Sequence, residues 1–83
     1  SGFNRDQYEQ QMHSFSTAQK KLLVALSQEE TSEFDDAYRA KYRLGVSSTV
    51  NSTKKKLMEN GYIEMSDSKY CVADPFFAAY LKP

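Results

Sequence analysis

The chain has 83 residues, 40% of them hydrophobic, which is enough for one small domain with a modest core and not for a second domain. Eleven Lys and Arg balance eleven Asp and Glu, so no overall field draws the chain to nucleic acid or to an anionic membrane, and any basic contact surface must be local. A single cysteine, Cys71, rules out an internal disulfide, and with a lone His13 it cannot make a multi-ligand zinc site by the usual spacings; a reducing cytoplasm is the simplest compartment.

Along the chain, Ser1-Gly2 ahead of Phe3 suggests a remnant on a piece cut from a longer protein. Asn4 is placed to cap a first helix, with Gln7 at the third position and Phe3 and Tyr8 as a hydrophobic staple. That helix is expected to run to about Ser14, burying the stripe Tyr8, Met12 and Phe15. Ser16 to Gln19 form a second capping box, after which Ala18, Leu22, Ala25 and Leu26 line one face at a 3.6-residue period. Glu29 to Ser32 break this pattern. Ser32 with Asp35 is expected to open a third helix carrying Phe34, Tyr38 and Tyr42, closed by Gly45.

Ser47 or Ser48 is the expected cap of the next helix, which turns Val50, Thr53 and Leu57 inward, with Val46 just before them, and stops at Asn60-Gly61. Two helices joined across Leu44-Gly45-Val46 make a helix-turn-helix. At 100° per residue, Ser48, Asn51, Ser52, Lys55 and Glu59 face outward, flanked by Lys56. Residues 62–66 and 69–73 read as two short strands around an Asp67-Ser68 turn. Pairing Ser66 with Lys69 sets Met65 opposite Tyr70 and Ile63 opposite Val72 on one face, leaving Glu64 and Cys71 on the other. Asp74 then caps a terminal helix with Pro75 at its first position and an apolar face of Phe76, Phe77, Tyr80 and Leu81. Helix-turn-helix followed by a hairpin predicts a mainly α fold of the winged helix-turn-helix class: a three-helix core, a wing, and extra helices at both ends.

The string from Ser47 to Glu64, followed by Tyr70 to Leu81, resembles the C-terminal winged-helix region of prokaryotic archaeal-type AAA/STAND ATPases. The resemblance covers about Ser16 to Lys82 and implies a winged-helix domain over residues 16–83, behind a connector helix in residues 1–15 that leads from an ATPase lid. Lys54 departs from the family pattern, which has an apolar residue there; its stem must cross the core edge and lift the amine to water. The chain has no G-x-x-x-x-G-K-[ST] sequence to cradle a nucleotide, so any ATPase activity lies outside these residues.

Two functions compete. Duplex DNA could be met by Ser47, Ser48, Thr49, Asn51, Ser52, Lys55, Lys56 and Lys69, which offer hydroxyl, amide and ammonium groups, but Glu59, Glu64 and Asp67 lie close by and predict weak, salt-sensitive binding. The favoured reading is an accessory or regulatory domain that docks on the ATPase module of its own chain or on another protein, through the recognition face or through Tyr8, Phe76 and Tyr80. Catalysis is not expected, because no third group orients Cys71 with His13, and neither cofactor nor metal is called for. No apolar run approaches the roughly 18 residues of a membrane span, so a membrane is not an expected partner.

Overall fold

A computed structural model describes residues 5–83; the cap expected at Asn4 and the staple from Phe3 lie outside the described residues. In chain order come α1 (Arg5–His13), α2 (Thr17–Gln28), α3 (Asp36–Tyr42), α4 (Ser47–Glu59), β1 (Ile63–Ser66), β2 (Lys69–Val72) and α5 (Pro75–Leu81). The order is that of a winged helix-turn-helix, with α2, α3 and α4 as the helical core, the hairpin as wing, and α1 and α5 at the ends.

Helix α2 is the hub, because Leu22, Leu23, Ala25 and Leu26 are buried and the helix touches α3, α4, α5 and β2. Its start is fixed by the reciprocal capping box: Ser16 Oγ accepts from Gln19 N–H at 3.1 Å, and Gln19 Oε1 accepts from Ser16 N–H at 2.9 Å. These bonds satisfy two amide groups that no helical carbonyl can reach.

Helix α3 departs from expectation at both ends. Asp35 alone caps it, accepting from Tyr38 N–H at 2.9 Å, and Phe34 is buried just ahead of the helix instead of inside it. The C-terminal stop is Arg43, not Gly45: Arg43 adopts φ 55°, its N–H donates to Ala40 O and Leu44 N–H donates to Arg39 O. Those two bonds make a Schellman motif, and buried Leu44 supplies its apolar contact. Gly45, at φ 88°, bends the chain two residues later toward α4. Arg39 holds this turn together, donating from Nε to Phe34 O at 2.9 Å and from its terminal nitrogens to Gly45 O and the Asp36 carboxylate.

Helix α4 begins at Ser47 with Val46 as its N-cap and no side-chain capping bond, so neither Ser47 nor Ser48 serves as the cap. Val46 is 64% exposed and does not join the core as expected. A residue at a helix entry has extended backbone and escapes the helical periodicity that carries Val50, Thr53 and Leu57 inward. The other end follows expectation: Gly61 takes φ 80°, and Tyr62 N–H closes a second Schellman motif on Leu57 O at 2.9 Å.

The wing register is Ile63↔Val72, Glu64↔Cys71, Met65↔Tyr70 and Ser66↔Lys69, as the alternation of side chains implied. Ile63 and Val72 are buried, whereas Met65, out near the turn, is 46% exposed. Unanticipated is a further, isolated bridge, in which Tyr70 N–H donates to Thr31 O at 2.8 Å and ties β2 to the segment between α2 and α3. The turn residues Asp67 and Ser68 have φ 52° and 64°, the left-handed pair of a type I′ turn. A serine there is strained by about 1 kcal/mol or more relative to glycine. Ser68→Gly is therefore expected to raise stability by about 1 kcal/mol, which for a domain of this size moves the melting midpoint up by about 4–8 °C. A thermal melt showing no rise would contradict this.

Asp74 caps α5, accepting from Phe76 N–H at 2.9 Å, with Pro75 in the first turn. The α5 face packs on α2 and on α1, where Tyr8 lies 5.2 Å from the Phe77 ring and donates its hydroxyl to Asp74 Oδ2 at 3.2 Å.

Candidate functional site

The outward face of α4 is as the 100° spacing placed it. Ser47, Ser48, Thr49, Asn51, Ser52, Lys55, Lys56 and Glu59 are all exposed, as is Lys69 on the wing. The first amides of α4 lack a side-chain acceptor, so they point outward with Ser47, Ser48 and Thr49 around them. Cationic charge on this face is sparse. Lys54 is half-buried and lies over the Tyr70 ring, its amine 5.0 Å from the centroid and 3.4 Å from the hydroxyl. The side chain is half-buried as expected, but the amine, instead of lifting to water, is engaged by a tyrosine that itself stacks on Phe34 at 5.2 Å. Lys55, Lys56 and Lys69 remain, with Glu59, Glu64 and Asp67 also exposed on the same two elements.

The aromatic set divides. Tyr8 and Tyr80 are half-buried and lie 5.4 Å apart, both against Phe77, so their rings are largely spent on packing α1 to α5. Burial and then the Asp74 hydrogen bond raise the Tyr8 pKa. Phe76 is 56% exposed and is the one member of the three that presents a free ring face.

A second surface was not anticipated from the sequence. Between α2 and α3 lies an open groove of about 590 Å³, floored by Val24, Ala25 and Tyr42 and edged by Lys20, Lys21, Lys41 and Arg43. Lys20, Val24 and Gln28 recur every fourth residue on α2, while Lys41 to Arg43 end α3. The chain segments meet only after the α2–α3 connection folds back. The one sequence signal was the clustering of four cations on two neighbouring helices that otherwise carry few.

Glu29, beside the groove, holds two of the residues that line it. Its backbone carbonyl accepts the Tyr38 hydroxyl at 2.7 Å, and its Oε1 accepts from Lys41 Nζ and from Tyr42 OH, each at 2.8 Å. The Lys41 ammonium first, and the Tyr42 hydroxyl second, hold the Glu29 carboxyl below the ordinary glutamate value, with burial opposing them. The same bonds raise Lys41, and burial followed by the Glu29 bond raises Tyr42. Tyr38 is raised mainly by burial. Because the Glu29 value is depressed on folding, its stabilising contribution is present above about 4.5 and is lost as pH falls through the lower folded value. Side-chain carboxyl NMR is expected to show Glu29 titrating below the ordinary range, and Lys41→Met is expected to return it toward that range; a midpoint indifferent to the substitution would contradict the pairing.

Cys71 is buried in β2, and burial, followed by Glu30, Glu64 and Asp67, raises its thiol pKa, which suppresses the thiolate. His13 stands exposed at the end of α1. Among the described residues no cluster of His, Cys, Asp and Glu could hold a metal ion, and no helix is long and apolar enough to cross a membrane.

A family model described as a probable winged helix domain matches residues 6–83. No curated protein and no solved structure matches the chain.

Proposed function

This chain belongs to the family of the probable winged helix domain, and from that membership we propose a non-catalytic docking module, an accessory or regulatory part of a larger protein. The parent suggested by the sequence resemblance is a prokaryotic ATPase of the archaeal-type AAA/STAND kind acting in the cytoplasm, with its nucleotide chemistry in another module. The observation that carries this reading is the distribution of cations. The face that a DNA-reading winged helix would use keeps Lys55, Lys56 and Lys69 amid Glu59, Glu64 and Asp67, while Lys20, Lys21 and Arg43, without an ion pair among the described residues, edge an apolar floor between α2 and α3.

Magnitudes favour the same choice. Three phosphate contacts give a salt slope near −2.7, a loss of about 40-fold in affinity between 50 and 200 mM salt. Sequence-specific binding needs more than that weak foothold. Duplex DNA read by α4 remains the second reading, supported by the exposed hydroxyl and amide groups and by the uncapped first turn of that helix.

An amide chemical-shift titration of the 83-residue chain separates the two. With a generic duplex, shifts at Ser47 to Lys56 and at Lys69 are expected only at low salt. With the parent's ATPase module, shifts are expected at physiological salt in at least one nucleotide state. Duplex-induced shifts that persist at physiological salt, or no response to the ATPase module in any state, would overturn the docking reading.

A further inference from the structure

Within the docking reading, we propose that the groove between α2 and α3 receives an acidic amphipathic helix, its apolar side chains resting on Val24 and Tyr42 and its carboxylates on Lys20, Lys21 and Arg43. Four observations point to that occupant.

The groove's floor is apolar and its rim cationic, the inverse of a helix that carries leucine-like residues on one stripe and glutamates beside it. Lys20, Lys21 and Arg43 form no ion pair and no side-chain hydrogen bond among the described residues, so their charge is uncommitted. Two groove residues already show their affinity for a carboxylate: Lys41 Nζ and Tyr42 OH converge on Glu29 Oε1, beside the groove, at 2.8 Å each, which leaves Lys20, Lys21 and Arg43 for an incoming one. Finally, Arg43 holds φ 55° at the end of α3, where glycine would be unstrained, so a charged side chain is kept on the rim at a conformational cost.

A phosphate backbone would engage the cations but leave the Val24 and Tyr42 floor uncovered. Carboxylates on an amphipathic helix use both parts, and the opposite charges steer the encounter.

The test is fluorescence anisotropy and amide shifts of the 83-residue chain at physiological salt. The probe is a labelled synthetic helix with leucine at i, i+3, i+4 and i+7 and glutamate at the intervening positions. Saturable binding is expected, with shifts at Lys20 to Gln28 and Lys41 to Arg43. Lys20→Glu with Lys21→Glu, the first half-buried and the second exposed, should weaken it by about tenfold or more through like-charge repulsion, with the far-UV spectrum unchanged. Arg43→Asn, which suits the left-handed backbone, should give a smaller loss. A companion peptide with lysine in place of glutamate should bind the charge-reversed variant and not the original chain.

Peptide-induced shifts that map elsewhere, or affinity indifferent to the charge reversal, would overturn the groove. So would a duplex that shifts these residues while the peptide does not, or self-association of the chain through them in the absence of peptide. An ATPase module that binds with shifts outside the groove would defeat this proposal alone and leave the docking reading standing; silence toward every protein probe would defeat both.

Discussion

Truncating Leu57 to alanine is expected to cost about 3–5 kcal/mol, because the side chain is fully buried and its removal loses both transfer energy and the packing around the space it leaves. Total stability for a domain of this length is about 4–12 kcal/mol, so the variant stands at the edge of unfolding. The site has little freedom to collapse. Leu57 lies on the inner stripe of α4, which packs on α2 and β1, and its own carbonyl receives Tyr62 N–H in the motif that ends the helix. Urea denaturation should show a lower midpoint with the slope unchanged. A loss below about 1.5 kcal/mol would mean that the helix-turn-helix relaxes around the gap, contrary to close packing at this position.

Phe77→Ala is expected to cost a similar amount, about 3–5 kcal/mol, but to distribute it differently. The Phe77 ring lies 5.2 Å from Tyr8, 6.4 Å from Phe15 and 6.3 Å from Tyr80, so it is the common partner of α1, the α1–α2 junction and α5. Without it α1 keeps few buried contacts, since none of that helix's own residues is fully buried. Hydrogen exchange should therefore show α1 amides losing protection first while α2 and α4 retain most of theirs. Tyr8→Phe, which removes the hydroxyl that donates to Asp74, should cost about 0.5–1.5 kcal/mol, and the two substitutions should fall short of additive because they share one contact. Uniform loss of protection across all helices would instead make α1 part of the central cooperative unit.

Local chemistry made much of this fold readable. The Ser16–Gln19 box, the Asp35 and Asp74 caps and the Gly61 stop are short-range interactions whose partners lie within five residues, and the wing register follows from strict alternation around a two-residue turn. What stayed hidden depends on contacts between distant residues or on an unusual occupant. Arg43 fills a left-handed position that composition assigns to Gly45, and Thr31 pairs with Tyr70 through a single backbone bond that no side-chain pattern announces. The same division applies to function. The exposed face of α4 could be drawn from helical spacing, but the half-burial of Tyr8 and Tyr80 is a tertiary fact, each ring being occupied by the other and by Phe77. The α2–α3 groove could not be assembled from the sequence, because its two sides come from separate helices and only the clustering of cations pointed to it.

The packing of α1 on α5 also fixes how the chain would answer a pull. Arg5 sits over the Tyr80 ring at 5.9 Å, and Tyr8 over Phe77, so the two helices run antiparallel with residue 5 beside residue 80. Tension applied between those points meets the aromatic contacts one at a time, in unzipping geometry, instead of loading them together in shear. Such a seam parts at low force, and it shields α2, α3 and α4 from the load until α1 has peeled away.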